Sequence, residues 1–283
     1  MSELKNKIDF VVLVKVENAN PNGDPLNGNR PRTNYSGFGE ISDVCIKRKL
    51  RNRFQDMGEE IFVQSDDNNV DGYKSLSERF AGTFEANKMT KEETAKAACE
   101  KWMDVRSFGQ VFAFKKRDKL DAVSVGVRGP VSIHQAVSCS TVDINSMQIT
   151  KSVNSEPAEK KSSETMGMKH RVEFGLYKIK GSINVQLAEK TGFSEEDADK
   201  LKEALKTLFI NDASAARPDG SMEVVRVYWW KHNNKIGQYS AAKVHSSVEI
   251  KLKDEGTIPR NVDDYNITLL PLEGLEPEII EGI

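Results

Sequence analysis

Fifteen positions, Asn18 to Arg32, hold five asparagines, three prolines, two glycines and two arginines, with Asp24 as their only carboxylate. Proline and glycine forbid regular structure there, while asparagine tolerates left-handed backbone and hydrogen-bonds its own main chain. Such a segment presents backbone N–H groups, side-chain amides and guanidinium forks, donors suited to phosphates and sugars. The same composition also describes a long surface loop with ordinary turn chemistry. A second set of donors follows. Lys47, Arg48 and Arg51 fall on one edge of a segment with helical periodicity, and no Asp or Glu intervenes between Val44 and Gln55. That edge can track a phosphate backbone, or it can be a solvated helix face, the usual fate of lysine and arginine.

Signatures of catalysis are thin. The chain has no Walker A sequence, no strand-linked G-x-G-x-x-G, no G-x-S-x-G and no H-E-x-x-H. His134, His170, His232 and His245 lie far apart in sequence and read as surface or packing histidines. Asp24 has the chemistry of a divalent-ion ligand or a base, yet a lone carboxylate among turn formers is more often an Asx-turn residue. Cys45, Cys99 and Cys139 are odd in number and form no C-x-x-C pair. They point to buried thiols in a reduced cytoplasmic protein, not to a disulfide or zinc framework. The expectation is no cofactor and no metal.

The 283 residues carry a formal net charge of −2, with 38% apolar and 30% charged residues, the balance of a hydrophilic globule. No apolar run reaches bilayer length and MSELKNKIDF lacks a signal peptide's apolar core, so no membrane is expected as a partner. The total charge argues against a nucleic-acid protein, but its distribution is uneven. Arg30 to Arg53 holds seven basic residues against two acidic ones, and Asp254 to the end holds eight acidic residues against one arginine. A basic face and an acidic face allow local polyanion binding together with contacts to copies of the chain or to other subunits.

Local signals say which elements position these groups. Ile8, Phe10, Val12, Val14 and Val16 alternate, which predicts a strand delivering the Asn-rich segment from its end. Ser42 or Asp43 caps a helix reaching about Met57, with Gly58 as its stop and Ile46, Leu50, Phe54 and Met57 as its apolar stripe. Residues 59–89 are polar and poorly periodic, as in an insertion, and Thr90 with Glu93 forms a capping box for a helix to about Asp104. Strand patterns at Val111–Phe114 and Ala122–Val127 are broken at Arg128-Gly129-Pro130 and resume at Val131–Val137. A long strand is predicted over Val172–Leu187, a helix after Ser194, and strands at Met222–Trp230 and Tyr239–Leu252. The last thirty residues, with Pro259, Pro271 and Pro277, read as a surface-following tail. Residues 138–169 are too long for an ordinary connection. Met147, Gln148 and Ile149 give that excursion an apolar tip, and Met166, Met168, Lys169 and His170 mark its return. Apolar side chains can wedge between bases and Lys or His can meet phosphates, or the segment can be a flexible excursion. The order β–α–(insert)–β–β–α–β fits an α+β fold, a split βαβ ferredoxin-like core with insertions, which RNA-recognition motifs share with many unrelated proteins.

The runs NANPNGDPLNGNRPR, DVCIKRKLRNRF, DVRSFGQVFA, GVRGPV, QITKSVN, KHRVEFGLYKIKGS and FINDASAARPDG, in this order over nearly the whole chain, resemble one family. It is the backbone subunit of type I-C CRISPR Cascade surveillance complexes, the "Cas-seven" group of the RAMP superfamily. The resemblance implies a single domain over 1–283: a modified RNA-recognition-motif palm, a helical fingers lobe at 59–105 and a long β-hairpin thumb at 138–169. It implies several copies stacked along one guide RNA (crRNA) in antiviral defence, thumbs displacing bases at intervals, and the spacer left free to pair with target DNA in an R-loop. Further implied partners are the guide-processing subunit at the 5′ handle, the large subunit and the small subunit. Nuclease activity belongs elsewhere in such systems.

Carried onto this sequence, Asn20, Asn22, Gly23, Asn29 and Arg30 with Lys47, Arg48 and Arg51 would hold the guide backbone. Arg106, Ser107 and Gly109 would form a glycine-containing turn facing the RNA. Gln148, Lys151, Met166, Lys169 and His170 would lie near displaced bases. Two other readings compete: a RAMP-type metal-dependent endoribonuclease using Asp24, and a metabolic enzyme with a small-molecule site.

Overall fold

IDFVVLVKVENA is apolar on both faces of a strand, and a strand of that kind belongs in the middle of a covered sheet. It forms β1 (Ile8–Ala19). Two short strands inside the Asn-rich loop, β2 (Gly23–Asp24) and β3 (Arg30–Pro31), precede β4 (Phe38–Ile41) and α1 (Asp43–Asp56). A lobe follows, built from α2 (Leu76–Thr83), α3 (Lys91–Lys101), α4 (Met103–Phe108), β5 (Gly109–Phe114) and β6 (Val123–Arg128). The chain returns through β7 (Val131–Ile133), β8 (Ala136–Thr141), β9 (Ile144–Thr150) and β10 (Met166–Ile183). It closes with α5 (Val185–Thr191), α6 (Glu195–Lys206), β11 (Met222–Lys231), α7 (Ala241–Ser246), β12 (Val248–Leu252), β13 (Tyr265–Leu269) and β14 (Glu278–Glu281). This computed structural model describes residues 2–84, 89–114, 123–150, 152 and 166–283.

The main sheet runs β14-β11-β1-β10-β8-β4, and β7 and β9 also pair with β10. Every pairing in it is antiparallel. On one face Phe10, Val12, Val14 and Val16 pack with Ile46, Leu50 and Phe54 of α1 and Leu201 and Leu205 of α6. On the other face Val11 and Leu13 pack with Val244 of α7, Val248 of β12 and Tyr265 of β13. β10 passes very close to a ring of the first face: a Cβ on Gly181 would lie 2.1 Å from Phe10 Cζ. A separate aromatic cluster of Phe62, Phe80, Trp102 and Phe112 holds the lobe together, and β5 and β6 belong to it. Among the described residues no helix is long and apolar enough to cross a membrane.

Local signals placed the helix starts and the stop of α1 well, whereas the helix from Thr90, expected to about Asp104, ends at Lys101 because Trp102 is extended. The Ser42 hydroxyl accepts from the Cys45 N–H, and Gly58 takes φ +85° just beyond the Met57 cap. Both halves of the Thr90–Glu93 capping box form, and Ser194 with Asp197 makes a second one. Three further expectations fail. The long strand stops at Ile183, because the Asn184 side chain accepts from Leu187 N–H and starts α5. The strand expected over Tyr239–Leu252 begins as a helix: Ser240 caps Lys243 N–H, and Val244 is buried against the sheet. The tail contributes β13, paired with β12, and β14, paired with β11, so it is part of the folded body.

Candidate nucleic-acid interface

Register places three connecting segments side by side at one end of the sheet. β1 ends with Ala19 opposite Val172, where β10 enters the sheet from the β9–β10 arm. On the other side Val16 pairs with Met222, the first residue of β11. The Asn-rich loop therefore leaves β1 between the arm and the segment that precedes β11. Residues 166–171 of β10 pair with β9 alone, so the arm projects beyond β1 by about 20 Å at ~3.3 Å per residue.

Inside the loop the asparagines serve the backbone first. Asn20 is 3% exposed, and its Nδ2 donates to the Asn29 carbonyl at 2.7 Å. Asn22 Oδ1 accepts from Ser42 N–H at 2.9 Å, which ties the loop to the start of α1. A Cβ at Gly23 would overlap Asn29 Oδ1 at 1.9 Å, and Asn29 itself sits at φ +59° after Gly28 at +57°. The result is a compact loop with an exposed rim, Pro25 to Asn29. Arg30 points from it to the arm: its Nη1 donates to Ser146 Oγ at 2.9 Å, and Ser146 Oγ lies 2.8 Å from His170 Nδ1.

Along the arm, directly opposed residues share a face. Met147 opposes Lys169 and Asn145 opposes Arg171, whereas Ser146 opposes His170 and Gln148 opposes Met168. Met147, Ile149, Met166 and Met168 are 37–55% exposed, an unusual apolar load for a projecting ladder. Gln148 Nε2 lies 3.0 Å from Met166 Sδ. Lys151 lies outside the described residues. Two arginines that were not among the expected site residues belong to this region: Arg32 and Arg171 each bury an Nε with no hydrogen-bond partner among the described residues. The available signal for Arg171 was its place directly after Lys169 and His170.

The family model for CRISPR-associated protein Cas7 matches residues 6–270. The chain belongs to the Cas7 family. A relative named CRISPR-associated protein Cas7, from Haloferax volcanii, is 26% identical over 211 residues, 69% of this chain and 62% of that protein. The match thus spans less than two thirds of the relative's length. Among solved structures, a chain of a "CRISPR RNA-guided surveillance complex, pre-nicking" aligns with TM-score 0.49 at 15% identity, covering 84% of this chain and 81% of that one. A chain of a "CRISPR RNA-guided surveillance complex" aligns with TM-score 0.44 at 17% identity, covering 79% and 68%.

In this Cas7-family chain the expected basic edge of α1 is not an open surface. Arg51 Nε donates to Asp104 Oδ2 at 2.8 Å, and its guanidinium lies over the Phe108 ring. Asp104 is fully buried and also accepts from Phe62 and Val63 N–H at 2.8 and 3.1 Å. Arg48 Nη1 donates to the Val63 carbonyl at 2.6 Å, and Lys47 pairs with Asp43 one turn earlier at 3.1 Å. That side of the helix carries the lobe. The neighbouring Lys49 is buried and paired with Asp212. Arg106 and Ser107 are likewise interior. Arg106 grips buried Asp197 through Nε and Nη2 at 3.0 and 2.8 Å, and Ser107 has no exposed surface. Gly109, at φ +80°, lies so close to β6 that a Cβ would sit 2.5 Å from the Val127 carbonyl, so it serves a backbone crossing. The structure thus joins Asn20, Asn22, Gly23, Asn29 and Arg30 to the arm, and takes Arg48, Arg51, Arg106 and Ser107 into contacts within the protein.

Groups considered for catalysis in this Cas7-family chain are occupied structurally. Asp24 Oδ1 accepts from Leu26 N–H at 3.2 Å and lies 3.4 Å from Arg32 Nη2, so it caps a short turn at Pro25–Asn27. Among the described residues no three His, Cys, Asp or Glu side chains gather as a metal site. Buried His232 Nε2 meets Asp9 Oδ2 at 2.8 Å while its Nδ1 accepts from Gln238 N–H, which sets the tautomer. His245 Nε2 lies 2.9 Å from the Gly181 carbonyl, close to His134. Burial holds His245 below its usual 6.5; the Gly181 carbonyl and Asp9 oppose that, and His134 and Lys180 add to it. A depressed histidine stabilises the fold fully above 6.5 and loses that contribution as pH falls through the folded value. Melting temperature measured between pH 7.5 and 5 should therefore fall less steeply below 6.5 in His245→Asn than in the wild type. An identical acid slope would remove His245 as the cause.

Proposed function

We propose that this chain is a non-catalytic, guide-RNA-binding backbone subunit of a type I-C CRISPR surveillance complex, several copies lining one crRNA in antiviral defence. The observation that carries this reading is the clasp at the sheet end, where Arg30 of the Asn-rich loop meets Ser146 and His170 of the arm. It puts the turn-rich donor loop against the arm face that carries Ser146, His170 and exposed Met168. Such contacts are sequence-independent, as a subunit serving many spacers requires. The strand order β11-β1-β10-β8, with α1 and α6 on one face, is that of a split βαβ and supports an RNA-recognition-motif palm. The lobe beginning at residue 59 takes the role of fingers, with β5 and β6 added to it. The arm takes the role of thumb, its Met and Ile side chains displacing bases so that intervening ones pair with target DNA. The acidic tail, whose β14 forms a sheet edge, faces other subunits in this reading.

Asp24 separates this role from that of a cutting RAMP subunit. Its carboxylate is spent on a turn and on Arg32, a cradle's geometry and not a base's. Co-expression with guide RNA should yield a particle containing RNA of discrete length, and labelled RNA incubated with that particle and Mg²⁺ should remain intact. RNA-free monomer at physiological salt would overturn the binding role. Cleavage that disappears in Asp24→Ala would establish the nuclease instead.

A further inference from the structure

The third segment at the sheet end, FINDASAARPDG between α6 and β11, has no role in the reading above. Its backbone is fixed: Asn211 and Gly220 take φ +63° and +75°, and Ser214 and Arg217 exchange main-chain hydrogen bonds at 2.8 and 3.0 Å. It is sewn to its neighbours as well. Asn20 N–H donates to the Ala216 carbonyl at 2.9 Å, and Glu17 N–H to the Ser221 carbonyl at 2.8 Å. The segment is thus a rigid wall beside the Asn-rich loop, on the side away from the arm.

Its charged side chains are Asp212, Arg217 and Asp219. Asp212 is shared by two cations, buried Lys49 and the Nε of Arg217 at 3.2 Å. Lys49 has 4% of its side chain exposed and Arg217 28%, so of the two cations Arg217 is the one that reaches solvent. The seam with the Asn-rich loop is incompletely satisfied, since Asn20 Oδ1 and Ser221 Oγ are buried without hydrogen-bond partners among the described residues.

We infer that Arg217 is a phosphate contact of the bound guide, on the opposite side of the Asn-rich loop from Arg30, with Asp212 as the residue that positions its guanidinium. This rests on the guide-binding role proposed above. Asp212 takes Nε, which leaves the two terminal amino groups of the fork to a phosphodiester oxygen pair, the bidentate mode of arginine. The contact reads no base.

The test is equilibrium binding of the full chain to a labelled single-stranded guide of mixed sequence over a salt series, with wild type, Arg217→Ala, Arg217→Lys and Arg30→Ala. Arg217→Ala should weaken binding about tenfold near physiological salt. It should also lower the slope of log K against log salt by about 0.7, one phosphate on a single strand. Arg217→Lys, which keeps the charge and the Asp212 pair, should retain the slope. Replacing guide phosphates by neutral methylphosphonates should erase the difference between wild type and Arg217→Ala. A lost affinity with an unchanged salt slope would mark Arg217 as a structural clip and overturn the inference. Wild-type affinity and slope in Arg217→Ala, with Arg30→Ala impaired, would overturn it while leaving the guide-binding role standing. Failure of the wild type to bind any guide would remove both.

Discussion

Asp197→Ala should cost the fold about 3–5 kcal/mol, the penalty for stranding a buried charge. Asp197 is 1% exposed and holds Arg106 through two guanidinium nitrogens at 3.0 and 2.8 Å. It also accepts the Ser194 N–H at 3.0 Å, which closes the capping box of α6. One substitution therefore frees a helix end and leaves the Arg106 guanidinium inside the protein, with Glu59 at 3.6 Å as its remaining carboxylate. Glu59 is already engaged by Lys200 at 2.5 Å. Urea unfolding should show a lower midpoint for Asp197→Ala and for Arg106→Ala, and a smaller change for Asp197→Asn, which keeps the volume and part of the hydrogen bonding. A loss below about 1 kcal/mol would mean that the pair is solvated like a surface salt bridge. The result bears on function too. Guide binding by the folded fraction of Arg106→Ala should keep the wild-type salt slope, because this arginine is already committed within the protein.

Arg106 shows what a sequence can and cannot disclose. Its partner lies 91 residues away, that of Arg51 lies 53 away, and that of Lys49 lies 163 away. The stretch from Val44 to Gln55 holds no carboxylate of its own: Lys47 and Arg53 are met by Asp43 and Asp56 at the two helix ends, whereas those of Arg51 and Lys49 arrive from α4 and from the loop before β11. Long-range neutralisation leaves no local mark. Helix starts, by contrast, are decided within four residues, so Ser42, Thr90 and Ser194 were legible as caps. The same logic explains the failures. Asn184 and Ser240 are caps too, but each follows or precedes β-branched and aromatic residues whose strand pattern masks them. The alternation of β1 correctly gave a strand, while its odd positions, Val11 and Leu13, were the sign that a second layer covers the other face. The Asn-rich loop was readable as turn chemistry. That it lies against the arm depends on the register of Ala19 with Val172, a pairing no local pattern encodes.

The triple variant Arg30→Ala/Lys169→Ala/Arg171→Ala should weaken guide binding by roughly a hundred- to a thousandfold, three charge-assisted contacts discounted for solvent screening. These three cations sit where the arm leaves the sheet. Arg30 is half-buried and fixed by Ser146 on one arm face, while Lys169 and Arg171, whose Nε is buried without a partner among the described residues, stand on the other face with Met147. None belongs to the buried clusters, so melting temperature should change little and the loss should be one of binding. Three phosphates released from a single strand predict a salt slope shallower by about 2. His170→Ala, which breaks the link to Ser146 but removes no permanent charge, should cost far less and leave the slope near wild type. That contrast separates an electrostatic clasp from a hydrogen-bonded latch: equal losses in the two variants would favour the latch. If the triple variant binds like wild type while the Asn-rich loop remains intact, the guide does not pass between loop and arm, and the sheet end is not where the subunit holds it.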